Sequence, residues 1–442
     1  MRRERLGTLE FGYPNFGVAM TETARAARVG RRGGTPAGRV RVLRSGLPLL
    51  GPAFVAAIAY VDPGNVAANL TAGARYGYLL LWVLVAASAM AVLIQYRSAA
   101  LGLVTGRSLP ALVGEHLGRR GRIAYWAQAE LVAAATDLAE VVGGAIALHL
   151  LFGLPLPVGG LVVGTVSLAL LATQNRRGQR TFEVLVMGLL AVIVVGFLVG
   201  LLLRPPSATG VLSGLVPRFA GTDSVLLAAS MLGATVMPHA IYVHSALARD
   251  RHGHATDPAR ADLLLKATRW DVGTALAVAG AVNVGLLLLA AAGLAGVPGT
   301  DSIEGAHAAI TATLGAGIGV AFAIGLLASG LASTSVGAYA GAVVMGDLLR
   351  RSVPLLVRRA ATLIPAVALL AAGADPTWTL VISQVVLSFG IPFAVVPLVV
   401  LSHRESVMGE RRTGRAQHVV LVTVTTLIAA LNVTLLVLLV IG

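Results

Sequence analysis

An acid, an amide and a thioether stand inside apolar runs of a 442-residue chain, each beside residues that break helices. The run from Leu47 to Leu70 contains Asp62-Pro63-Gly64-Asn65. A later run contains Gly233-Ala234-Thr235-Val236-Met237-Pro238-His239. Proline removes a backbone donor and glycine loosens the turn, so both stretches read as helices interrupted in mid-course. An interruption frees carbonyl oxygens, here near Ala59 and Ala234. At membrane depth such carbonyls are tolerated only where they face protein or a wet cavity. Asp62 offers a hard anionic oxygen, Asn65 an amide oxygen three positions on, and Met237 a soft sulfur. Magnesium and calcium take oxygen ligands and gain little from sulfur. A mixed oxygen and thioether set suits a softer divalent ion such as Mn(II), Fe(II) or Cd(II). The competing reading is a structural kink with a satisfied Asp62 and a packing Met237.

A second group of residues reads as proton chemistry. Glu130, Asp137 and Glu140 are offset by 7 and 10 positions, which puts all three on one helical face. Carboxylates inside an apolar helix are costly unless paired, protonated or wet, and they mark ion or proton paths in membrane carriers. His239, one residue past the second proline, brings an imidazole, the side chain suited to proton exchange near neutral pH. Arg358 and Arg359 open a later apolar stretch and are expected to pair with Asp137 or Glu140. A purely structural salt bridge is the alternative, and Glu130 fits either reading. Gln384 is an amide in a late apolar run that either packs or reaches the ion in one conformation. His149, His244, His252 and His254 read as helix-end, loop or structural residues. Asn432-Val433-Thr434 matches a glycosylation sequon, but it lies inside an apolar run and is expected to be inaccessible.

The elements that must position these groups follow from composition. The chain is 56% hydrophobic and 12% charged, with a mean hydropathy of +0.83. Soluble domains carry roughly twice that charge, so this is an all-α integral membrane protein. No cysteine is present, which excludes disulfides and thiolate metal sites. Eleven spans are expected, at about 46–73, 79–103, 123–149, 155–174, 183–204, 223–247, 270–294, 317–348, 357–373, 378–401 and 418–441. Residues 1–45, with ten Arg and three Glu, read as a basic cytoplasmic tail and not a cleaved signal. With the N-terminus inside, nearly all loop arginines fall inside, and only Arg75, Arg204 and Arg218 fall outside. The net charge of +14 is therefore a topology signal rather than a nucleic-acid signal. The C-terminus then lies outside. The two breaks are five spans apart, so the expected architecture is two inverted five-helix repeats, 46–204 and 223–401, plus an eleventh helix at 418–441.

The motifs resemble those of the NRAMP divalent-metal transporters. The resemblance runs through Gly51-Pro52-Ala53-Phe54, Asp62-Pro63-Gly64-Asn65, Thr136-Asp137-Leu138-Ala139-Glu140 and Met237-Pro238-His239. It continues in Ser383-Gln384-Val385-Val386-Leu387-Ser388 and Ile391-Pro392-Phe393-Ala394. It covers the chain from about residue 46 to its end and implies a leucine-transporter-like fold. It also implies Asp62, Asn65, Met237 and the Ala234 carbonyl as metal ligands, with Ala59 and Gln384 as state-dependent ones. Glu140, Asp137, His239 and the two arginines would form the proton network. Three positions depart from the family pattern: Ala240 stands where Asn is usual, Gly390 where Gln is usual, and Leu331-Ala332 where Gln-Ser is usual.

The expected activity is import of a divalent transition metal, manganese first, coupled to protons across a bacterial-type cytoplasmic membrane. The expected partners are the metal ion, protons and the bilayer, with no permanently bound cofactor, no nucleic acid and a monomer as the working unit. The alternatives are a magnesium or amino-acid carrier on the same fold, or a passive channel. An enzyme is disfavoured, since neither a His-Glu-x-x-His motif nor a Gly-x-Ser-x-Gly elbow occurs.

Overall fold

A computed structural model describes residues 51–177, 179–350 and 355–441. The basic tail at 1–45 and the side chain of Arg359 lie outside the described residues. Helix α1 (Pro52–Ile58) runs into a 3-10 turn (Ala59–Val61), and α2 (Pro63–Tyr76) follows. Next come α3 (Leu81–Thr105), the short α4 (Leu109–His116), α5 (Arg119–Phe152), α6 (Leu156–Arg177) and α7 (Gln179–Leu203). After α8 (Ala208–Gly214), α9 (Thr222–Thr235) and α10 (Pro238–His252) form a second interrupted pair. The remaining helices are α11 (Pro258–Gly293), α12 (Ile303–Leu314), α13 (Ala316–Leu349), α14 (Leu355–Ala371), α15 (Pro376–His403), α16 (Glu405–Met408) and α17 (Arg415–Ile441).

Among the described residues the regular structure is all helix, and seven helices are long and apolar enough to cross a membrane. Four shorter apolar helices, Pro52–Val61, Leu156–Ala169, Met187–Leu203 and Ala360–Ala371, accompany them. Helices α4, α8 and α12 occupy stretches that read as loops. Each is capped by a serine, Ser108, Ser207 and Ser302 respectively, which accepts from a backbone N–H three residues on.

The two breaks share one construction. Asp62 and Met237 are both extended, with ψ of 169° and 124°, and each is followed by a proline at the first position of the next helix. Proline disfavours helical geometry in the residue before it and is preorganised to start a helix. The sequence therefore ends one helix and begins another at the same point. The interrupted pairs lie at the centre of the fold, where α9 packs on α15, α10 on α3, and α11 on α2 and α3. Lipid offers no hydrophobic drive between helices, so close approach of small residues does this work. Ala228, Ala229, Ser230, Gly233 and Ala234 supply it on α9.

Backbone groups freed by the first break are taken by neighbours. Asn283 Nδ2 on α11 donates to the Tyr60 carbonyl at 2.6 Å, and Ser329 Oγ on α13 donates to the Val61 carbonyl at 2.5 Å. At the start of α1, Gly51 N and Ala53 N donate to the Asp271 carboxylate of α11 at 3.1 and 3.0 Å. Leaving such a group buried and unmet costs about 1–3 kcal/mol.

Candidate metal site

Asp62 is fully buried and caps α2. Its Oδ1 accepts from the Asn65 backbone N at 2.7 Å and from Asn65 Nδ2 at 2.7 Å. The same Nδ2 donates to the Ala234 carbonyl at 3.0 Å, so one amide group joins the two breaks. Gln384 Nε2 on α15 reaches Asp62 Oδ2 at 3.4 Å and Ser383 Oγ at 3.2 Å. Asn65 Oδ1 and Gln384 Oε1 are buried without a hydrogen-bond partner. Turning the Asn65 amide over would set its oxygen against Asp62 Oδ1 and Ala234 O. That arrangement is repulsive unless a cation lies among the three oxygens. The Ala234 carbonyl belongs to the C-terminal end of α9, where the helix dipole is negative.

Met237 is fully buried at the turn into α10, three residues after Ala234. Ala59 is buried in the 3-10 turn, but the carbonyls of that turn that meet polar side chains are those of Tyr60 and Val61. Gly64 is required by proximity, because a Cβ there would overlap the Gln384 amide. Among the described residues no group of three or more His, Cys, Asp or Glu could hold a metal ion. The oxygens gathered at the breaks carry one carboxylate only.

The acids of α5 lie beside this centre. His239 Nδ1 is 3.3 Å from Thr136 Oγ1, which links α10 to the acidic face of α5 next to Asp137. Asp137 and Glu140 are buried, and both carboxylates face Gly337 of α13. Arg358, at the start of α14, pairs with Glu130 at 2.9 Å. Glu130 lies two turns nearer the end of α5 than Asp137, and the Arg358 guanidinium lies against Gly341 of α13.

Sequence reasoning passed over a second buried polar chain. Gln95 Nε2 of α3 donates to Tyr60 Oη at 2.5 Å, and His244 Nδ1 donates to Gln95 Oε1 at 2.8 Å. His244 is thus a buried core residue of α10, away from the helix end. Gln95, at the end of an apolar run in α3, was the available signal. Gly390 also has a local reason, since a side chain there would strike Val132 of α5 and Pro238.

A membrane-embedded, all-helical chain whose buried acid and amide lie between two interrupted helices has the construction of a secondary transporter. Comparison with known proteins makes the class specific. The Nramp family model, described as natural resistance-associated macrophage protein-like, matches residues 53–438. The chain is 60% identical over 400 residues to the divalent metal cation transporter MntH of Mycobacterium tuberculosis, covering 90% of this chain and 94% of that protein. It superimposes on the manganese transporter of Eremococcus coleocola with a TM-score of 0.80 at 30% identity, covering 91% of this chain and 87% of that one. MhsT solved with L-phenylalanine shares the fold alone, with a TM-score of 0.61 at 13% identity and coverage of 88% and 98%. The chain belongs to the Nramp family.

Proposed function

We propose that the chain imports divalent transition metal ions, manganese first among them, together with protons. Asp62, Asn65, the Ala234 carbonyl and Met237 are the proposed ligands, with Ala59 and Gln384 joining in some conformations. The observation that carries the reading is the Asn65 amide, which holds Asp62 Oδ1 and Ala234 O together across the two breaks. An arriving cation displaces that NH2, and the turned amide, the Ala234 carbonyl and Asp62 Oδ2 offer their oxygens to the ion. One carboxylate among neutral donors leaves a net positive charge on a divalent ion. That favours a passenger over a permanently held cofactor. The names of the relatives, a divalent metal cation transporter and a manganese transporter, support the same cargo.

Proton coupling in this reading comes from competition. Asp62 cannot be a good ligand and protonated at once, so metal binding displaces a proton. His239, Thr136, Asp137 and Glu140 give that proton a route along α5, with Glu130, Arg358 and Arg359 at its far end. The seven long and four short apolar helices support eleven spans. Two inverted five-helix repeats of leucine-transporter-like form, a cytoplasmic N-terminus, a C-terminus outside the cytoplasmic membrane and a monomeric working unit complete the proposal. Rocking of the broken helices then exposes the site to each side in turn.

The test is metal uptake by the purified protein in liposomes carrying a pH-sensitive dye. Saturable manganese uptake that acidifies the interior is expected. Uptake indifferent to a proton gradient would make the chain a passive channel. Uptake of magnesium in preference to manganese would remove the sulfur from the selection argument.

A further inference from the structure

Helix α15 carries two prolines inside one unbroken helix, Pro392 and Pro397. A proline has no N–H, so each leaves the carbonyl four residues earlier without its helical donor. Those carbonyls belong to Ser388 and Phe393, and both are met from other helices. Asn432 Nδ2 of α17 donates to the Ser388 carbonyl at 2.8 Å. Tyr125 Oη of α5 donates to the Phe393 carbonyl at 2.6 Å. Each donor is itself anchored. Asn432 Oδ1 accepts from Ser388 Oγ at 2.5 Å, and Tyr125 Oη lies 3.0 Å from Tyr242 Oη of α10.

The placement gives these contacts a consequence. Ser388 is one turn beyond Gln384, whose amide meets Asp62. The backbone of α15 at Gln384 and Ser388 lies directly against Gly233 of α9, next to Ala234. A helix can bend at a proline without breaking a backbone bond, because that bond was never made. In lipid the freed carbonyl still needs a donor, so a bend of this kind requires a side chain from a neighbour. Both prolines of α15 have one.

We propose that α15 is a two-pivot hinge that re-aims Gln384 at the site, with Asn432 and Tyr125 as its positioning residues. This assigns a job to α17, whose hydrophobic stretch is the least buried of the seven long ones. It also explains an asparagine in the middle of that stretch, where a polar group is otherwise costly.

The inference rests on the transport reading for its kinetic readout only; a thermal-midpoint cycle reads the hinge without transport. Asn432→Leu removes the donor at similar size, and Pro392→Ala restores the missing N–H. With Pro392 present, Asn432→Leu should lower the kcat of manganese uptake about tenfold with KM unchanged, and lower the thermal midpoint in detergent. In the Pro392→Ala chain, where the carbonyl has its own helical donor, the same substitution should change neither. Tyr125→Phe with and without Pro397→Ala should repeat the pattern at the second pivot. Equal losses in both backgrounds overturn the proposal, as does a rise in KM at constant kcat. Should Asn432→Leu alone fail to fold, adding Pro392→Ala should restore folding; continued misfolding counts against the hinge. A wild-type chain that takes up no metal refutes the transport reading and leaves the midpoint cycle to decide this one.

Discussion

Replacing Asp62 separates the two jobs its carboxylate holds. Oδ1 caps α2 through the Asn65 backbone N at 2.7 Å, while Oδ2 is approached by the Gln384 amide, at 3.4 Å. Asp62→Asn keeps an oxygen for the cap, and asparagine is as good an N-cap as aspartate. It removes the one negative charge of the proposed site. Two unit charges about 4 Å apart, at an effective dielectric of about 20, attract by about 4 kcal/mol. At about 1.4 kcal/mol per tenfold, that is roughly a thousandfold loss of metal affinity for each unit of charge, so at least that for an ion that carries two. Asp62→Ala loses the charge and the cap, and the cap is worth a further ~0.5–2 kcal/mol of stability. Uptake in liposomes should therefore fall to background in both variants. Thermal midpoints in detergent should separate them, with Asp62→Asn near wild type and Asp62→Ala clearly below it. Near-normal manganese uptake by Asp62→Asn would refute the site. Equal midpoints for the two variants would refute the division of labour between Oδ1 and Oδ2.

Other perturbations test the remaining contacts. Gly64→Ala places a Cβ on the Gln384 amide, so uptake should fall, and Gln384→Ala in the same chain should recover part of it by clearing the space. Recovery absent in competition-free uptake would mean that Gly64 matters for another reason. Met237→Ala should leave manganese uptake measurable but erode its preference, and that of cadmium, over calcium; unchanged selectivity would mean the thioether is not the selector. Glu130→Leu leaves the largely buried Arg358 without its 2.9 Å partner. Breaking such a pair costs about 3–5 kcal/mol. The thermal midpoint should drop, and replacing Arg358 by Met in the same chain should recover most of the loss.

The parts of the fold that the sequence reveals are those governed by short-range chemistry. Prolines after Asp62 and Met237 dictate where each helix stops, because pre-proline sterics act within two residues. The apolar runs locate the helices for the same reason. Partnerships between helices are different. Nothing local tells that Arg358 meets Glu130, since that depends on how far along α5 the start of α14 packs. The Gln95 to His244 bond joins residues 149 positions apart, and only the α3–α10 packing makes it. Asn432 looked like an inaccessible sequon, and its role emerges once the carbonyl freed by Pro392 is found beside it. The local clue existed in the proline, but its partner lay on another helix.

A carrier must bind its ion and let it go without taking itself apart. In the proposed site, the arrangement around Asp62 would meet that demand by splitting one carboxylate. The cap bond from the Asn65 backbone uses Oδ1 and does not depend on the Asn65 side chain. The amide link from Asn65 Nδ2 to Oδ1 and to Ala234 is separate, and it is the link that an ion would displace. The side-chain contact to Oδ2, from Gln384, is long and easily exchanged for a new partner. An ion taken by Oδ2, the turned Asn65 oxygen, the Ala234 carbonyl and the Met237 sulfur leaves the start of α2 intact. Release then reverses by swinging one amide back between two oxygens. Each step exchanges the two hydrogen bonds of that amide, about 0.5–1.5 kcal/mol apiece, and leaves the backbone cap in place.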